Sequence, residues 1–157
     1  DHFKEINDRH GHVAGDHCLV AVGEVLSGLL RGTDLTYRSG GEEFVALLPG
    51  CPPEHAEMLG FRFVDRMRQL DVRFDGLPIP LTASVGIVSL PSDGLSGFFA
   101  GKKTWDSLTE RMLQLADAAM YQAKELGRDR VHLGGRLSDI TQDPRWAAIV
   151  AAAKEKK

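Results

Sequence analysis

The chain is short of cysteine. Among 157 residues there are two, Cys18 and Cys51, with no CxxC spacing and no Cys/His cluster around them. That excludes a disulfide-built scaffold and a zinc finger, and leaves two reduced packing cysteines of the cytosolic kind. A basic excess is also missing. Nineteen Lys and Arg against 22 Asp and Glu give a formal net charge of −3, with a pI near 6.1. A non-specific nucleic-acid binder needs surplus positive charge, so nucleic acid is not expected as a partner. A small anion held by a few local cations remains allowed. No apolar run reaches the roughly 20 residues that span a bilayer. No signal peptide is visible. There is no initiator Met before Asp1, so the chain reads as a piece of something longer.

What is present is an ordinary globular composition, 43% hydrophobic and 26% charged, at a length that fits one domain with a real core. Residues 1–13 are polar and rich in turn formers. From Ala14 a helix is expected, with Leu19, Val22, Leu26, Leu29 and Leu30 on its apolar face and Gly32 near its end. Strands follow at Leu35–Arg38 and 43–48, joined through Ser39-Gly40-Gly41, where two residues tolerant of positive φ signal a hairpin. Pro52 and Pro53 open a helix over about 54–70, with Ala56, Leu59, Phe63 and Met67 on one face. Phe74 precedes a turn at 76–80, and 81–90 is the best candidate for a central strand. Residues 91–104 read as a loop with three glycines. A long helix over about 107–126 carries Leu108, Met112, Leu115, Ala119, Met120 and Ala123 in register and stops at Gly127. Arg130–Leu133 is a last strand. The segment 135–157 is a tail, helical over about 144–154.

This order predicts an α/β sandwich with an antiparallel component, because the first two strands form a hairpin. Starting on a helix leaves the sheet one strand short, which points to a strand upstream of Asp1.

Chemistry is concentrated in short motifs. Gly40-Gly41-Glu42-Glu43-Phe44 sits at the hairpin turn. Its glycines allow close backbone approach to a ligand, and its adjacent carboxylates are poor packing residues but good ligands for hard cations. Taken alone, a plain solvated β-turn explains it equally well. Asn7 and Asp16 flank a loop and a helix start, and an amide with a carboxylate can pair with a guanine edge. Asp16 is equally placed to be a helix N-cap, and His12 to brace its loop. Lys124 and Arg128, four apart at a helix end, share a face, either as a cap that complements the dipole or as an anion site. Arg31-x-x-Asp34 precedes the GGEEF turn, and is either a helix-end Arg with a turn Asp or a second ligand site.

Collinear spacing decides among these readings. GGEEF, the segment Phe3-Lys4-x-Ile6-Asn7-Asp8-x-x-Gly11-His12-x-x-Gly15-Asp16, the strand Ser84-Val85-Gly86 and the run Tyr121-Gln122-Ala123-Lys124-x-x-Gly127-Arg128 together resemble the GGDEF family of diguanylate cyclases over residues 1–134. The resemblance implies a palm-like α/β fold, like the nucleotidyl cyclase core, with a mixed central sheet covered by helices. It implies condensation of two GTP into cyclic di-GMP and two pyrophosphates. It assigns Asn7 and Asp16 to the guanine, with His12 beside the substrate. Phe3 and Lys4 go to the phosphates through backbone N–H groups and charge, and Lys124 and Arg128 to the β- and γ-phosphates. Glu42 becomes a ligand of Mg²⁺, with Mn²⁺ as a substitute. Glu42, less so Glu43, takes the proton, and Lys4 assists.

The family's metal site also uses the first Asp of an Asp-x-Asp pair. Asp1 matches the second of that pair, so Glu42 has no assigned partner, and this exact chain is expected to have little cyclase activity. Arg31 and Asp34, with Arg62 or its rival Arg66 on the next helix, match the site where product inhibits. The resemblance further implies a homodimer for catalysis, an upstream sensor domain, and a cytoplasmic location in a parent that can be membrane-anchored. Two alternatives stay open: an inactive receptor for GTP or cyclic di-GMP, and a cyclase with a monocyclic product.

Overall fold

The computed structural model of the chain describes residues 1–90 and 102–134, with side chains from Leu108 onward in the second segment. Ten elements follow in order: α1 (Phe3–His10), α2 (His12–Leu29), β1 (Leu35–Arg38), β2 (Phe44–Leu47), α3 (Pro53–Gln69), β3 (Arg73–Phe74), β4 (Leu77–Pro78), β5 (Ser84–Ile87), α4 (Lys102–Glu125) and β6 (Arg130–Leu133). The tail 135–157, with its expected helix, and residues 91–101 of the expected loop lie outside the described residues. Residues 102–104 of that loop belong to α4 instead. Among the described residues no helix is long and apolar enough to cross a membrane.

The polar N-terminal segment is a helix, not the expected loop. α1 buries no residue completely, and its few apolar side chains gave no helical run to read. It forms because Phe3 and Ile6 find cover against α2. Gly11 makes the corner between the two helices. At φ 85 it takes a backbone that other residues avoid, and its N–H closes α1 by donating to Asn7 O at 2.8 Å. α2 therefore starts two residues before Ala14, and Asp16 lies inside it. The N-cap position is Gly11, which removes the capping explanation of Asp16. α2 also ends at Leu29, ahead of Gly32, where Leu30 turns extended. α3 begins as expected, with Pro52 as cap and Pro53 in the first turn.

The strands pair in twos. β1 and β2 are antiparallel, with Arg38 opposite Phe44. β3 and β4 form a two-residue hairpin over Asp75 and Gly76, both at positive φ, as such tight turns require. β5 and β6 are parallel, with Gly86 opposite His132. The fold is the expected mixed α/β arrangement, but no described strand bridges the β1–β2 pair to β5, so the described strands form three small sheets. β5 is shorter than its β-rich run because Leu81 turns into the core before the ladder begins.

One core gathers Ala14 and Cys18 of α2, Met67 of α3, and Val72, Ile79 and Leu81 around the small hairpin. Each large apolar side chain sealed there contributes about 1.5–3 kcal/mol. Both cysteines are free, as expected, and burial pushes the Cys18 thiol above its ordinary range. α4 lies over β5 and β6, with Leu108, Ala119 and Ala123 buried. This packing sets the end of α4 beside the start of the chain.

Candidate functional site

The GGEEF turn is closed by Ser39 N–H donating to Glu43 O at 2.9 Å. The glycines do not serve it through positive φ, since neither is among the glycines in that region. A residue outside the motif holds it instead. The Arg38 guanidinium donates through Nε to the carbonyls of Gly40 and Gly41, each at 3.1 Å. Glu43 folds back over Gly40, where a β-carbon would stand 3.1 Å from its Oε2. Glu42 and Glu43 are both exposed.

Asp1 lies at the meeting point of the chain's distant parts. Its carboxylate accepts from Ser84 Oγ at 2.7 Å, Thr82 Oγ1 at 3.1 Å and Asp129 N–H at 3.2 Å. Its amino group donates to Thr82 O at 2.9 Å. Burial pushes that amine below its ordinary value; the charge of Glu42 opposes this, while Lys124 and Arg128 add to it. Glu42, Lys124 and Arg128 thus act electrostatically on one spot, although they come from a hairpin, a helix end and a turn.

Lys124 sits in the last turn of α4, but Arg128 does not share its helix face, because α4 stops at Glu125. The stop is a Schellman-type turn, with Arg128 N–H donating to Ala123 O at 2.9 Å. Gly127, Arg128 and Asp129 have φ of 110°, 60° and 51°. Left-handed backbone costs a non-glycine residue about 1 kcal/mol or more, so surrounding bonds must hold this turn. Arg68 supplies them from α3, through Nε to Asp129 Oδ2 and Nη2 to Asp129 O, each at 2.8 Å. The hydrogen bond and charge of Asp129 hold the Arg68 guanidinium above its usual pKa.

The base-side residues form a second group. The half-buried Asn7 of α1 presses on Gly15 of α2, the residue before Asp16. His12 and Asp16, four apart, lie on one exposed side of α2. Phe3 is half-buried with its ring also against Gly15, while Lys4 is exposed in the first turn of α1. Asn7 Oδ1 is buried without a partner, as are Asp34 Oδ1 and Asp129 Oδ1. At the third location Arg31 N–H donates to Asp34 Oδ2 at 2.8 Å, and Arg31 Nη2 approaches Cys51 Sγ at 3.7 Å. Arg62 and Arg66 are exposed on α3; no described contact joins either to Arg31 or Asp34.

Sequence reasoning missed Arg38, Arg68 and Asp129. Asp65 and Arg68 at i,i+3 spacing were a visible ion pair, but its second partner lies 61 residues away.

No three His, Cys, Asp or Glu side chains among the described residues form a metal cage. Mg²⁺ does not require one, since it binds through one or two carboxylates plus phosphates and water. The exposed carboxylate of Glu42 fits that mode.

The class is set by the mixed α/β fold with an acidic glycine turn between β1 and β2. The family model described as "Diguanylate cyclase, GGDEF domain" matches residues 1–130, and the chain belongs to the GGDEF family. Diguanylate cyclase DgcP of Pseudomonas aeruginosa is 38% identical over 133 residues, which is 85% of this chain and 18% of that protein. Cyclic di-GMP phosphodiesterase NbdA of the same organism is 33% identical over 136 residues, 87% of this chain and 16% of that protein. The chain therefore spans less than a fifth of either relative. The crystal structure of the GGDEF domain of DgcB from Caulobacter crescentus, in complex with cyclic di-GMP, superposes with a TM-score of 0.71 at 26% identity, covering 85% of this chain and 72% of that one.

Proposed function

We propose that this domain is a diguanylate cyclase that condenses two GTP into cyclic di-GMP. The observation that carries this is the match of residues 1–130 to the GGDEF family model, with Glu42 on the turn that Arg38 holds and Lys124 and Arg128 at the end of α4, where the Asp129 N–H meets Asp1. A triphosphate needs cations for its oxygens and a carboxylate for its metal, and these residues supply both. Bound Mg²⁺ would neutralise phosphoryl oxygens there, held through Glu42. Lys124 and Arg128 hold the β- and γ-phosphates, with Phe3 and Lys4 adding the N–H groups that the first turn of α1 leaves free.

Asn7 and Asp16 select guanine, with the Asn7 side chain held in place by its buried Oδ1 against Gly15. Glu42, or less readily Glu43, accepts the proton of the attacking 3′-hydroxyl. One domain presents one nucleotide, so the reaction needs two domains face to face. Incubation of GTP and Mg²⁺ with the full-length protein tests this. Cyclic di-GMP with two equivalents of pyrophosphate is the expected product, and a monocyclic product or none overturns it.

A receptor reading is favoured by one observation: among the described residues Glu42 belongs to no group of three side chains able to hold a metal ion. Tight cyclic di-GMP binding with no turnover in the same experiment would select it.

A further inference from the structure

Resting on the nucleotide-binding reading above, we infer that Arg68 is a positioning residue for phosphate recognition, acting through the turn that carries Arg128. The argument starts from the backbone. Gly127, Arg128 and Asp129 all have positive φ, and two of them carry side chains that disfavour it. Such a turn persists only where its surroundings over-determine it. Besides its Schellman bonds to α4 and Arg130 Nε donating to Arg128 O at 2.9 Å, two ties from distant parts of the chain hold it. Asp129 N–H donates to Asp1 Oδ2, and Arg68 grips both the carboxylate and the carbonyl of Asp129.

The third arm of Arg68 fastens it to its own helix, through Nη1 to Asp65 Oδ1 at 2.8 Å. A planar guanidinium used on three sides fixes orientation as well as distance. The residue next to the gripped one is Arg128, half-buried and close enough to act on Asp1. If Arg68 lets go, the turn can relax toward ordinary φ, and Arg128 and the Asp129 N–H leave the site together. Asp129 Oδ1, buried without a partner, adds a reason for the turn to move once Oδ2 is freed.

The test uses two readouts on this chain. In the nucleotide-free protein, Arg68→Ala should move the NMR Cα shifts of Arg128 and Asp129 away from left-handed values and speed exchange of the Asp129 amide. Unchanged shifts and exchange would overturn the clamp. In titrations with GTP and Mg²⁺, Arg68→Ala should weaken affinity by roughly tenfold or more, as small misplacements of binding groups do. Arg68→Lys should recover only part of it, because an ammonium cannot make the paired contact with Asp129. Asp65→Ala, which removes only the tie of Arg68 to its own helix and spares both contacts to Asp129, should weaken GTP binding less than Arg68→Ala does.

The deciding comparison is with Arg128→Ala. If Arg68 works through Arg128, the double variant binds no more weakly than Arg128→Ala, within about twofold. Additive losses would mean that Arg68 supports the fold generally and would overturn the proposal. Absence of GTP binding by the wild type would overturn the nucleotide reading and the role of Arg128, while the shifts still decide whether Arg68 holds the turn.

Discussion

Asn7 and Gly15 share one space: a β-carbon on Gly15 would stand 1.9 Å from Asn7 Oδ1, and 3.0 Å from the Phe3 ring. Gly15 lies inside α2, where alanine would ordinarily gain about 0.5–1 kcal/mol. It is glycine because the amide of Asn7 needs the room.

Gly15→Ala should therefore leave α2 formed but displace Asn7. The expected result is a loss of roughly tenfold or more in GTP affinity, with ATP, bound weakly from the start, little changed. Combining it with Asn7→Ala relieves the collision, so the double variant should melt higher than Gly15→Ala alone. Calorimetric titration and thermal unfolding check both. Undiminished GTP affinity in Gly15→Ala would take Asn7 out of base recognition.

Glu42 is exposed at the tip of a turn that Arg38 holds from behind. Glu42→Gln keeps the shape and removes the charge that a cation needs. Cyclic di-GMP synthesis by the full-length protein should fall by at least about a hundredfold, with unfolding unchanged, since exposed positions shift stability little. Near-normal turnover would remove Glu42 from the metal and proton roles.

The sequence made some elements plain and hid others for physical reasons. The β1–β2 hairpin, α3 and β6 were legible because apolar periodicity, paired prolines and glycine punctuation act locally. α1 was hidden because Phe3 and Ile6 are too few to mark a face; its helicity depends on packing against α2. Lys124 and Arg128 were legible as a cationic pair, but they do not share a face, because Arg128 lies past the helix in a left-handed turn, and such a turn at two non-glycine residues goes against local preference. That turn depends on Arg68 and Asp1, far away in sequence, and no window of neighbouring residues contains the cause.

Gly86 sets the distance between β5 and α4. A β-carbon there would stand 2.1 Å from Ala116 O and 2.4 Å from Met120 N. These are backbone atoms of a helix, which cannot swing aside as a side chain does. Gly86→Ala should destabilise the domain by about 3 kcal/mol or more, at the upper end for overpacking. Urea denaturation measures it, and a loss below about 1 kcal/mol would show that α4 shifts freely over the sheet. Because α4 carries Lys124, the same variant should weaken GTP binding.

Arg31 and Asp34 are proposed as the site of product feedback, and their geometry makes one substitution unusually clean. The bond that orients Asp34 comes from the backbone N–H of Arg31, at 2.8 Å, and the Asp34 N–H returns to Arg31 O at 3.0 Å. Arg31→Ala keeps both bonds, so the turn survives and only the exposed guanidinium is lost. Asp34→Ala would unmake the turn and confuse binding with folding. β1 separates this turn from Gly40, about 13 Å at the rise of a strand, so product bound here need not displace GTP. Cyclic di-GMP, with two guanines and two phosphates, could join such sites on neighbouring domains and hold their catalytic turns apart. The inhibition would then be non-competitive. In the full-length protein, Arg31→Ala should weaken cyclic di-GMP binding by about tenfold, the loss typical of one charged hydrogen-bonding group. It should also relieve inhibition and leave initial rates near those of the wild type. Unchanged product affinity in calorimetry, or inhibition that excess GTP overcomes, would place the feedback site elsewhere.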